Sequence, residues 1–181
     1  MIKMKKFLVS IGLLVLLSSC SGDDSSSSGN LNTVSIEVTG DFEAEKLGIA
    51  DFGLIDIGST NSWELNMSDI NPQTFNLRFV LNSVNQAIQR PTPGTYEIGF
   101  ETNSNSVFTA FYIDVPNGNL SESKEYTTLN ENYGGTLTID SSDNDVVTGS
   151  FEFTAAHVDE DFNVIGEINV IGEFEALRNN F

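Results

Sequence analysis

One histidine and one cysteine bound the chemistry open to these 181 residues. His157 stands beside Asp159, Glu160 and Asp161, a neighbourhood that could supply an imidazole base with an acidic partner. Nucleophilic catalysis also needs a hydroxyl or thiol held against that imidazole, and no Gly-x-Ser-x-Gly turn occurs to present one. His157 is therefore read as a partly exposed residue at the end of a strand. Two carboxylates about 5 to 10 Å apart could cleave a glycosidic bond. The chain holds 26 acidic residues, too many for a pair to stand out, and Glu167, Glu173 and Glu175 alternate as the solvated face of a strand would.

Two further constellations invite a ligand. Asp140, Asp143, Asn144 and Asp145 crowd one turn, and calcium takes six to eight oxygen ligands from such side chains. Calcium there is the one ionic alternative to the plainer reading of a good turn, since no glycine falls at a sharp-turn position and no glutamate closes the loop as in an EF-hand. Asp159, Glu160 and Asp161 crowd a second acidic turn. Carbohydrates stack on exposed aromatic faces, and Tyr126 and Tyr133, flanking a polar hairpin, are the expected platform. Trp63 shares a phase with Leu65 and Met67 and is assigned to the core.

The elements that must position these residues are strands. Side chains of a strand alternate between faces, so a half-buried strand shows apolar residues at every second place. Val34, Ile36 and Val38 do so, as do Trp63, Leu65 and Met67, then Phe75, Leu77, Phe79 and Leu81, then Tyr96, Ile98 and Phe100. A denser run follows from Val107 to Ile113. Leu137 and Ile139 come next, then Val147, Gly149, Phe151, Phe153 and Ala155. The last run places Val164, Gly166, Ile168, Val170, Gly172, Phe174 and Ala176 on one face. Glycines at inward positions mark bends, bulges or close packing under a large neighbour such as Phe151 or Phe153. Turn residues separate the runs, as in Arg90-Pro91-Thr92-Pro93-Gly94 and Pro116-Asn117-Gly118-Asn119. One short helix is expected near Ser83–Gln89, ended by Pro91. About eight to ten strands joined by short turns predict an all-β, antiparallel sandwich, with an open barrel as the alternative. Residues 33–181 form one such domain.

The N-terminus is of another kind. Lys3, Lys5 and Lys6 precede an apolar stretch from Phe7 to Leu17, and Ser18 and Ser19 lead to Cys20, which is the order of a secretory signal over residues 1–19. The stretch is too short for the roughly 20 apolar residues of a membrane-spanning helix. Leu17-Ser18-Ser19-Cys20 resembles the lipobox of bacterial lipoproteins, in which the cysteine thiol receives a diacylglyceryl group and becomes the new N-terminus. Leu17, Ser18 and Ser19 would then be the signal-peptidase recognition residues and Cys20 the site of lipidation. Stable attachment to a bilayer needs two or more acyl chains, which that modification supplies. Cys20 is the only cysteine, so the domain has no disulfide, thiolate metal site or catalytic cysteine. Residues 20–32 carry Ser21 through Ser28 and Gly29, a composition that behaves as a flexible tether. The acidic pair Asp23-Asp24 resembles the export signal of Bacteroidota surface lipoproteins, which implies the outer face of the outer membrane, with the periplasmic face as the alternative.

Charge narrows the partners. Loss of Lys3, Lys5 and Lys6 takes the net charge from −18 to −21 and leaves only Lys46, Arg78, Arg90, Lys124 and Arg178 as cations. Nucleic acids and anionic lipid surfaces, both bound through Lys and Arg, are disfavoured as partners.

The C-terminal half carries a second resemblance. Pro93-Gly94-Thr95-Tyr96, Tyr133-Gly134-Gly135-Thr136-Leu137-Thr138-Ile139, Val147-Thr148-Gly149-Ser150-Phe151-Glu152-Phe153 and Gly172-Glu173-Phe174 resemble a group of small Bacteroidota cell-envelope lipoproteins of unknown function. The resemblance implies an all-β envelope lipoprotein and no activity. The sequence is thus read as a lipid-anchored, non-enzymatic binding or structural module for a protein or glycan ligand, without a cofactor. A glycan-binding accessory of a polysaccharide-uptake system is the alternative.

Overall fold

A computed structural model describes residues 32–57, 60–70, 72–84, 90–100 and 106–179. Leu17, Ser18, Ser19, Cys20 and the segment before Asn32 expected to be a tether lie outside the described residues. Among the described residues ten strands follow in order: β1 (Thr33–Gly40), β2 (Ala44–Ile57), β3 (Thr60–Ser68), β4 (Phe75–Val84), β5 (Gly94–Ile98), β6 (Val107–Asp114), β7 (Lys124–Thr127), β8 (Gly134–Ser142), β9 (Val146–Val158) and β10 (Val164–Arg178). Two single turns of 3₁₀ helix, Pro116–Gly118 and Leu120–Glu122, join β6 to β7. Ser83 and Val84 of the expected helix belong to β4, and residues 85–89 lie outside the described residues.

The architecture is all-β and mostly antiparallel, as the alternation predicts. All ten strands form one sheet, whose pairings run β1, β2, β3, β4, β6, β5, β8, β9, β10 and return to β1. The circuit is uneven. β9 and β10 pair along most of their length, whereas β5 and β6 meet in parallel over only Glu97–Val107 and Ile98–Phe108. β7 spans β6 and, through Thr127 and Ala156, β9. The sheet is therefore folded over in a sandwich-like way rather than rolled into an even barrel, and aromatic rings meet across the fold. Phe79 of β4 lies 5.0 Å from Phe151 and 5.6 Å from Phe153, both on β9.

Burial follows the parity of the sequence. Val34, Ile36 and Val38 are inside, as are Trp63, Leu65 and Met67, and Ile168, Val170, Phe174 and Ala176. Two residues leave the expected pattern. Phe100 lies past the end of β5 and is exposed, and Val164 is exposed ahead of a register shift between Val164 and Gly166. That shift is a β-bulge, which lets the strand bend at the cost of one side chain's inward aim.

β2 has no counterpart among the apolar runs, for a physical reason. Its inward places include Lys46 and Gly48, so period-two hydrophobicity is hidden. Lys46 is half-buried, 3.6 Å from the Asp114 carboxylate and donating to Thr74 Oγ1 at 3.2 Å. Pairing and hydrogen bonding of this kind offset the cost of drawing an ammonium partly out of water. A Cβ at Gly48 would stand 2.9 Å from the Phe75 ring and 2.5 Å from the Ser68 carbonyl oxygen, so only glycine fits there.

Candidate functional site

The acidic turn between β8 and β9 is built on Asp143. Its Oδ1 accepts the backbone N–H groups of Asp145 at 2.9 Å and Val146 at 2.7 Å, an arrangement that closes the turn. Those hydrogen bonds hold the Asp143 carboxyl below its ordinary 3.8. Asn144 Oδ1 accepts from an Arg90 guanidinium N–H at 3.1 Å, and Asp140 faces an outer groove of about 510 Å³ over β1, β9 and β10. Asp143 Oδ1 and Asn144 Oδ1 are thus engaged within the turn and with Arg90. Among the described residues, no three His, Cys, Asp or Glu side chains are grouped to hold a metal ion.

Tyr126 must also be corrected as a platform for sugars. It sits on β7 with its ring fully buried and its hydroxyl donating to Asp41 Oδ2 at 3.2 Å. Burial and then the Asp41 carboxylate push its phenol well above the ordinary 10. The polar neighbours Lys124 and Glu125 suggest an exposed hairpin, but strand alternation turns Tyr126 the other way, into the core beside Phe42. A ring without an open face offers no stacking surface.

Tyr133 remains half-buried, and its hydroxyl donates to Glu167 Oε1 at 2.6 Å. That hydrogen bond, and then burial, push the phenol up to about 12. The fold therefore raises it above the roughly 10 of an unfolded tyrosine. The contribution is complete below about pH 10 and is lost as pH climbs from about 10 through 12. Tyr133→Phe is expected to cost about 0.5–1 kcal/mol near neutrality. It should also flatten the loss of stability above about pH 10, as urea titrations near pH 8 and near pH 11 would read.

His157 lies within β9, one residue short of its end. Its Nδ1 is 2.8 Å from the Glu125 carbonyl oxygen and its ring packs at 5.5 Å against Tyr126. The imidazole ties β9 to β7. Asp159 closes the following turn by accepting from the backbone N–H groups of Asp161 and Asn163 and from the Asn163 amide, so this acidic cluster also serves its own loop.

A cleft that no sequence motif marks opens at the end of the sheet where β10 stops. There β2 and β10 zip together in parallel at Asp51–Leu177 and Phe52–Arg178, just beyond the first residue of β1. Past that point β2 continues with β3 alone. The opening so created has a volume of about 190 Å³ and is lined by Phe52, Gly53, Leu54, Trp63, Arg90, Asn144 and Arg178. Phe52 and Trp63 stack on each other at 5.8 Å beneath it, both buried except at their edges. Arg90 and Arg178 are far apart in sequence, and only the fold brings two of the chain's few cations to one mouth.

Compared with known protein families, with curated proteins and with solved structures, the chain matches none. Fold and geometry show an all-β architecture with, among the described residues, a cleft flanked by Arg90 and Arg178.

Proposed function

We propose that this chain is a lipid-anchored protein of the bacterial cell envelope, acting as a binding or structural module and not as an enzyme. The observation that carries the reading is Leu17-Ser18-Ser19-Cys20 placed directly after the apolar stretch Phe7–Leu17. Several features support it. The core extends from Val34 to Ala176 without a disulfide, so acylation of Cys20 takes no cross-link from the fold. Between Cys20 and Thr33 the backbone can reach up to about 45 Å when extended, enough to hold the domain clear of a bilayer surface. The one histidine is engaged between two strands, and the acidic turns serve their own backbones, a pattern that suits a rigid scaffold. The resemblance of the C-terminal strands to small Bacteroidota envelope lipoproteins points the same way, and the acidic pair after Cys20 favours the outer face of the outer membrane.

Fractionation of cells tests the anchor. The native chain is expected in the membrane pellet and labelled by palmitate. Cys20→Ser is expected to lose the label and to remain an unprocessed precursor, because the sulfur that accepts the diacylglyceryl group is gone. Palmitate labelling that persists in Cys20→Ser would overturn the proposal.

A further inference from the structure

The cleft at the end of β10 combines two features that ordinary surface depressions do not share. Its lining is apolar on one side, where the exposed Leu54 stands beside the edges left by the buried Phe52 and Trp63. Its rim carries Arg90 and Arg178, two of the five cations outside the signal region of a chain whose net charge is −18. Arg90 is held in place by its hydrogen bond to Asn144, whose turn is itself fixed by Asp143. The Arg178 backbone N–H is anchored to the Asp145 carbonyl oxygen at 2.9 Å. Its guanidinium has no hydrogen-bond or ion-pair partner among the described residues. An acidic protein has ample carboxylates with which to neutralise an arginine, and here it leaves one unmatched beside a second.

We infer that this cleft binds a small monocarboxylate with a compact apolar body, the carboxylate between Arg90 and Arg178 and the body against Leu54 and the edges of Phe52 and Trp63. A guanidinium presents a planar fork of donors that matches a carboxylate, and such charge-assisted bonds are about twice as strong as neutral ones. The exposed Leu54 and the edges of Phe52 and Trp63 that reach the cleft take the apolar part out of water. A volume of about 190 Å³ equals the liquid volume of about six waters. That admits one ring or a short branched chain and excludes an oligosaccharide or an extended acyl chain. The inference rests on the reading of the domain as a binding module but not on its lipid anchor.

Trp63 is the only tryptophan in the chain, so its fluorescence reports on this cleft directly. The full chain, purified in detergent, would be titrated with cyclohexanecarboxylate and with cyclohexanecarboxamide, which share a shape and differ in charge. The carboxylate is expected to change Trp63 emission saturably and to bind at least about tenfold more tightly than the amide. Added salt should weaken the carboxylate alone. Arg90→Gln combined with Arg178→Gln should erase the difference between the two probes, while the unliganded Trp63 spectrum, unchanged, shows that the domain is folded. No saturable response to the carboxylate, or equal binding of both probes by the native chain, overturns the inference. Failure here leaves acylation of Cys20 untouched, and failure of acylation leaves this titration unchanged, so the two are separable.

Discussion

Phe79→Ala is expected to destabilise the domain by about 3–5 kcal/mol, since truncating a fully buried phenylalanine forfeits its transfer energy and leaves a cavity. Phe79 is completely inaccessible and lies on β4, between Leu77 and Leu81 on the same inward face. Its ring is the point at which β4 meets β9, through Phe151 and Phe153. These strands are not hydrogen-bonded neighbours, so the rings themselves join the two sides of the folded sheet. A domain of this size has about 5–15 kcal/mol of stability in all. The variant should therefore melt lower by roughly 10 °C or more. Urea unfolding followed by Trp63 fluorescence would read the change, and a loss below about 1 kcal/mol would mean that β4 and β9 do not pack as described.

Gly172→Val should be comparably damaging, through excess volume instead of a void. Gly172 faces inward on β10, in register with Ile36 on one side and Phe151 on the other. A Cβ built there would collide with Phe151 Cζ and stand 2.6 Å from the Ser35 carbonyl oxygen. The first contact could be relieved by turning a ring, but the second is to backbone and requires β1 and β10 to part. Overpacking of this kind costs about 1–3 kcal/mol, and more where the backbone must move. Combining Gly172→Val with Phe151→Leu is expected to restore only part of the loss. A double-mutant cycle on urea midpoints would separate the ring's share from the backbone's. Complete recovery would place the whole conflict on Phe151 and contradict the role given to Ser35.

These two residues also show what the sequence made legible. Period-two hydrophobicity is enough to find β1, β3, β4, β9 and β10, because each lays one face on the core and the other in water. It also marks the inward glycines as sites of close approach. Gly172 indeed lies under Phe151, while the ring over Gly149 is Phe174, at 3.0 Å from a built Cβ. The same signal fails where inward positions are small or charged, as with Lys46 and Gly48 on β2. It fails too where a strand is only four residues long, as with β7 and its buried Tyr126.

The candidate site was legible only in fragments. Asn144 stood out within an acidic turn as an oxygen ligand for calcium, yet the fold gives that oxygen to Arg90. Arg90 and Arg178 read as two scattered cations because their meeting depends on the register of β10 against β2, a property of the closed sheet and not of any local segment. Trp63, correctly assigned to the core, is buried there and reaches the cleft only at an edge.

The most direct test of the proposed anchor is the mass of the N-terminal peptide of the protein recovered from membranes. The proposal requires a peptide that begins at Cys20 and carries a diacylglyceryl group on sulfur, with nothing recovered from residues 1–19. A membrane-borne chain that retains Lys3 to Ser19, or that begins at Cys20 with an unmodified thiol, would contradict it.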